Sequence, residues 1–138
     1  YTMMYRETGM EEFLEAARNI GNMIMDRLPE DGIPYWDFDD PAIPEALKDA
    51  SAGAIMASAF IELSTLTGDN RYMETARRQL LTLGSDEYLA KPGENAGFLL
   101  KHGVGNIPGG TEIDVPLSYA DYYFLEALVR YSIISSEE

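Results

Sequence analysis

The chain contains no cysteine, and His102 is its only histidine. The first absence excludes a disulfide framework and any thiolate metal site, and one imidazole falls short of the ligand set a zinc ion needs. No metal or cofactor is therefore expected. Basic residues are also scarce, 10 Lys and Arg against 24 Asp and Glu, for a net charge of −14. Nucleic acid is then a poor partner, because phosphate binding depends on clustered cations. No apolar run free of charge reaches the roughly 18 residues a membrane span requires, so no membrane partner is expected. The period-two alternation of half-buried strands is missing too. The chain opens on Tyr1-Thr2-Met3-Met4-Tyr5, which reads as the end of a helix. The expectation is that the natural N-terminus lies further upstream, so the lack of a leader says little about compartment.

What is present is helical. Tyr1 to Arg6 reads as a helix tail stopping at Thr8-Gly9. From about Met10 to Leu28, Phe13, Ala17, Ile20, Ile24 and Leu28 recur at helical spacing, predicting an amphipathic helix with one wet face. Pro29 stops it, and a loop rich in proline and aromatic residues runs to Lys48. A second helix is predicted from about Asp49, its N-cap, to Thr67. Glu62 is its one charge, and it is rich in Ala, Ser and Gly, so it is expected to be buried all round. Gly68-Asp69 makes a tight turn into a third, amphipathic helix at about Asn70–Leu83, with Tyr72, Met73, Ala76, Leu80 and Leu83 on its stripe. A second long connection, 84–117, leads into another helix apolar on every side, about Tyr119–Ile134. Ser118 with Asp121 matches a capping box, and Leu117 with Tyr122 a hydrophobic staple. Ser135 to Glu138 reads as a frayed tail.

The order is wet helix, long loop, buried helix, short turn, wet helix, long loop, buried helix. Such alternation builds a solenoid or a closed double ring, with the apolar helices inside. Both long loops enter the N-terminus of an inner helix, so they belong on one rim, with the short turn at residues 67–70 on the other. Inner helices then run parallel, and their N-terminal N–H groups favour an anion at the loop-bearing rim.

Three stretches in order, PYWDFD from Pro34, KDASAGAI from Lys48 and EIDVPLSYADYYFLEAL from Glu112, resemble glycoside hydrolase family 88, the unsaturated glucuronyl hydrolases. Ala50 departs from the serine common among relatives. The resemblance implies an all-α fold of alternating outer and inner helices, a partial (α/α)6 toroid. It also implies that residues 1–138 form a single segment, the C-terminal portion of a six-hairpin ring. The implied substrate is an unsaturated oligosaccharide released by a polysaccharide lyase. A carboxylic acid protonates the C4=C5 enol ether, water adds, and the hemiketal opens without a covalent sugar–enzyme intermediate. The two catalytic aspartates and an Arg-Gly-Gln-Ala-Trp segment belong upstream of Tyr1, so no catalytic residue is assigned here. A helical-repeat binding module and an unsaturated rhamnogalacturonyl hydrolase are the alternatives. The compartment stays open between the cytoplasm and periplasm of a bacterium.

Six residues are the substrate-binding candidates: Trp36, Asp37, Asp39, His102, Ser118 and Tyr119. Each has a structural role beside the functional one. Trp36 is a stacking platform or a lid over the core, and Asp37 and Asp39 line the sugar or cap turns. His102 bonds a hydroxyl or carboxylate, or is a solvated loop residue. Ser118 contacts ligand or caps its helix, and Tyr119 packs in the core or presents its hydroxyl. Gly103, Gly105, Gly109 and Gly110 lack the Lys-Ser or Lys-Thr of a phosphate loop and read as flexibility. An incomplete ring also leaves an apolar flank, so self-association is expected.

Overall fold

The computed structural model describes residues 1–136. Among the described residues five α-helices are present: α1 (Thr2–Thr8), α2 (Glu11–Arg27), α3 (Ala50–Thr67), α4 (Asn70–Leu83) and α5 (Ser118–Ser135). Among the described residues no strand forms, and only isolated bridges tie the loops. Of the expected frayed tail, Ser135 closes α5 and Glu137 and Glu138 lie outside the described residues.

The architecture centres on α3, which packs along α4 on one side and α5 on the other. Small residues allow this: Ala50, Ala54 and Ala57 are fully buried, and Gly53 leaves room for Ile33 of the preceding loop. A Cβ at Gly53 would sit 3.1 Å from Ile33 Cδ1. At 18 residues and mean hydropathy 1.3, α3 has the length and composition to cross a membrane, although Glu62 breaks its apolar run. It packs instead as a core helix, with 56% of that window buried. Gly68 ends it in the left-handed region, φ 72°, which a Cβ disfavours. Asp69 then caps α4 by accepting the Arg71 N–H at 3.0 Å.

The direction of α5 follows from its partners. Ser58 Oγ donates to Glu126, and Arg130 Nη1 reaches Glu62 at 3.1 Å; both pairs are 68 positions apart. A constant offset with both numbers rising means that α3 and α5 run parallel, as inner helices of a ring do. Arg6 on α1 also pairs with Glu62, so three inner helices share one charge network. Outside them, α2 and α4 meet where the Tyr72 hydroxyl donates to Asn22 at 3.1 Å and the Tyr72 ring passes over Gly21.

Several local expectations are corrected. The face of α2 that is buried carries Leu14, Ala17 and Gly21, while Ile20 is exposed. The contact with Tyr72 turns the helix so that Gly21, not Ile20, faces inward. Nor is α5 buried all round: Ala120, Phe124 and Ala127 face the core, while Tyr122, Leu125, Val129 and Ile133 are about half exposed or more. The expected capping box is absent. Leu117 is the N-cap of α5 and no side chain caps it. The Asp121 carboxylate instead accepts the N–H groups of Leu99 and Leu100, at 2.8 and 2.9 Å. Two backbone donors in a loop with few other partners outcompete the local bond. The hydrophobic staple is absent too, because Leu117 is buried while Tyr122 is 61% exposed.

Candidate functional site at the loop-bearing rim

The two long loops meet at the N-terminus of α3, as the helix order requires. Asp49 is the hub. Its Oδ1 accepts the Ser51 N–H at 2.9 Å, the Ser51 hydroxyl at 2.7 Å and the Val104 N–H, 55 positions away, at 3.0 Å. Two residues earlier in the second loop, the His102 carbonyl accepts the Ala50 N–H at 3.0 Å. The same carboxylate therefore caps α3 and pins the second loop across it. It also occupies the α3 terminus, so the anion-attracting character read from helix order is already satisfied there by a protein group. The open helix end is that of α5, which has no side-chain cap and retains the dipole's partial positive charge.

From Gly103 the chain forms a small antiparallel hairpin. Gly103 pairs with Val115 in both directions at 2.9 Å, and Gly105 N–H reaches the Glu112 carbonyl at 2.7 Å. Glycine at 103 is required, since a Cβ would lie 2.7 Å from the Val115 carbonyl oxygen. At the hairpin base, His102 Nδ1 is 2.6 Å from Asp114 Oδ1, and the imidazole meets the Tyr88 ring edge-on at 5.8 Å. His102, Glu112 and Asp114 all have φ between 53° and 63°, a region costly for residues with a Cβ. That geometry folds the Glu112 side chain over Gly105, where a Cβ would stand 2.1 Å from its carboxylate.

The parallel packing of α3 and α5 puts Tyr119 beside Ser51, again 68 positions apart. Burial pushes the Tyr119 phenol above its ordinary value, the Ser51 hydrogen bond opposes this, and the charges of Asp49 and Glu112 add to the rise. The ring stays 39% exposed at the rim. Ser118, one residue earlier, is exposed.

Of the six candidates, His102, Ser118 and Tyr119 thus lie on this rim. Trp36 reaches it through its backbone: its N–H donates to Leu47 at 2.9 Å, and Leu47 lines a depression with Lys48, Tyr88, His102 and Asp114. Its indole is half buried and donates to Asp40, so the side chain does not share that depression with His102. Asp37 accepts the Asp39 N–H at 2.9 Å in a local turn, and Asp39 pairs with Arg27 at the end of α2, on the outer side. Ser51, Asp49 in its bridging role, and Glu112 were not legible as site residues. The signal was available in the spacing, since Ser51, Ser58, Glu62 and Tyr119, Glu126, Arg130 repeat the same 7-then-4 interval. Among the described residues no three His, Asp or Glu side chains converge as a metal site.

These features define an arc of an α/α toroid, with parallel inner helices, outer helices behind them and both long loops on one rim. The comparisons give that arc its relatives. No family model matches the chain. It is 48% identical over 132 residues to the unsaturated glucuronyl hydrolase of Formosa agariphila, covering 94% of this chain and 33% of that protein. Among solved structures it is similar to an unsaturated glucuronyl hydrolase specific for heparin, with TM-score 0.96 and 50% identity over 99% of this chain and 38% of the other. A mutant unsaturated glucuronyl hydrolase of Streptococcus agalactiae, complexed with dGlcA-GalNAc6S, superposes with TM-score 0.84 at 26% identity over 94% of this chain and 36% of that one. The chain spans about a third of the length of the curated relatives it matches. The resemblance read from the three motifs thus holds along nearly the whole chain, and those relatives are α/α toroids, of which this all-α chain forms a part.

Proposed function

We propose that the chain is the C-terminal part of a glycoside hydrolase. The parent enzyme would hydrate the C4=C5 double bond of terminal unsaturated uronic acids in lyase-derived oligosaccharides. The observation that carries this reading is the match, over almost every residue here, to an unsaturated glucuronyl hydrolase specific for heparin. A relative crystallised with an unsaturated disaccharide supports the substrate class. In this reading the segment supplies part of the binding rim: Tyr119, Ser118 and His102 face the sugar, Trp36 borders it, and Asp37 and Asp39 shape the Trp36 loop. The acid and base come from the rest of the enzyme, so the 138-residue chain alone is inactive.

The test follows the ultraviolet absorbance of unsaturated heparin and chondroitin disaccharides. The complete polypeptide carrying this segment is expected to bleach it, and the purified chain is not. Turnover by the chain alone would overturn the division of labour. Failure of the complete polypeptide on every unsaturated uronide would favour a binding module. Activity confined to unsaturated rhamnogalacturonan fragments would move it to the rhamnogalacturonyl class.

A further inference from the structure

His102 carries the only imidazole in the chain, and its neighbour fixes which ring nitrogen holds the proton. Nδ1 lies 2.6 Å from Asp114 Oδ1. A carboxylate only accepts, so the proton of that bond sits on Nδ1. In the neutral ring Nε2 is then bare, a lone-pair acceptor. Nε2 has no hydrogen-bond partner among the described residues. Burial does not demand the pair, because the two side chains are 43% and 50% exposed and water could serve both. Yet both residues hold positive φ, 63° and 53°, a region costly for a residue with a Cβ. The pair borders a depression of about 240 Å³ shared with Leu47, Lys48, Glu87 and Tyr88. Lys48, the cation lining it, is already paired with Asp31. Glu87 and Asp114 therefore leave the depression unsuited to an anion.

We infer that His102 Nε2 accepts a hydrogen bond from a hydroxyl of an uncharged sugar ring of the oligosaccharide, with Asp114 as the positioning residue that fixes this tautomer. The depression between the two long loops is then a subsite for that ring. The uronate belongs elsewhere on the rim, since Glu87 and Asp114 repel its carboxylate. The choice of a sugar as ligand rests on the proposed hydrolase reading; the tautomer does not.

Two measurements test it separately. In the complete polypeptide labelled with 15N-histidine, the ring signals lost in His102→Asn are those of His102. At about pH 9, where imidazole is neutral, a protonated Nδ1 beside a bare Nε2 is expected. A proton on Nε2 instead overturns the proposal whatever the enzyme does. Asn suits the second measurement because it tolerates left-handed φ. Its amide stands where Nδ1 was and can still reach Asp114, while the atom at Nε2 is gone. His102→Asn and Asp114→Gly are each expected to raise KM by about tenfold for the unsulfated unsaturated chondroitin disaccharide or tetrasaccharide, the loss of one good hydrogen bond, with kcat within about twofold. In Asp114→Gly the His102 proton should also move to Nε2. Unchanged KM on both substrates, or an equal fall in kcat, overturns the binding role. If the polypeptide turns over no unsaturated saccharide, the sugar assignment falls with the functional reading, while the nitrogen signals still decide the tautomer.

Discussion

Replacing Asp49 with alanine tests how far this one carboxylate holds the rim together. Loss of an N-cap costs about 1 kcal/mol on its own. Here the same change also orphans the Val104 N–H and the Ser51 hydroxyl, and both residues are buried. An unsatisfied buried donor costs about 1–3 kcal/mol. Roughly 3–5 kcal/mol in total is expected for Asp49→Ala, less than a strict sum because the groups share one acceptor. For a chain of this length each kcal/mol shifts Tm by roughly 3–4 °C, so a fall of about 10–20 °C should appear in a circular-dichroism melt. Asn is the control. Its single carbonyl oxygen at the Oδ1 position keeps all three donors, because Ser51 N–H, Ser51 Oγ and Val104 N–H all reach Oδ1. Asp49→Asn should therefore cost about 1 kcal/mol or less. If Asp49→Ala costs no more than the Asn variant, Asp49 is an ordinary helix cap and the pinning of the second loop is wrong.

Arg130→Met should cost about 2–3 kcal/mol in a urea titration, because Glu62, 12% exposed, then keeps only Arg6; pairing it with Glu62→Gln should cost clearly less than the sum. Gly21→Ala gains helix propensity of about 1 kcal/mol, yet its Cβ would meet the Tyr72 ring at 3.0 Å. That ring is stacked on Phe60 and tied to Asn22, so a net loss of about 1–2 kcal/mol is expected, and a stabilised variant would show that the ring gives way. The exposed face of α5, with Tyr122, Leu125, Val129 and Ile133, should bind an apolar dye and drive concentration-dependent association of the isolated chain. Leu125→Lys with Val129→Lys should abolish both, and a monomeric wild type at high concentration would refute the expectation.

The sequence by itself determined the helices and their order. Periodicity marked four long helices, Gly9 and Gly68 marked stops at positive φ, and the apolar character of Ala50–Thr67 marked a core helix. Helix order alone put both long loops on one rim. The three motifs pointed to the relatives that the comparisons found. Local chemistry also identified the Asp49 cap, because the N–H it accepts is two residues away.

Tertiary structure decided whatever depended on a distant partner. Asp121 matched a capping pattern, yet bonds two N–H groups more than 20 positions away, since unpaired loop donors claim whatever acceptor the packing brings near. Amphipathic periodicity gave the face of α2 only to within a residue, and the Tyr72 ring over Gly21 settled it. Helix α5 is apolar all round, but composition cannot tell which flank has a neighbour, and half of its apolar surface lies open. Ser51 and Tyr119 are separated by loops and half the chain, and Ser51 and Glu112 carry no local mark of function. Only the parallel register of α3 and α5, held by Ser58–Glu126 and Glu62–Arg130, brings Ser51 and Tyr119 together.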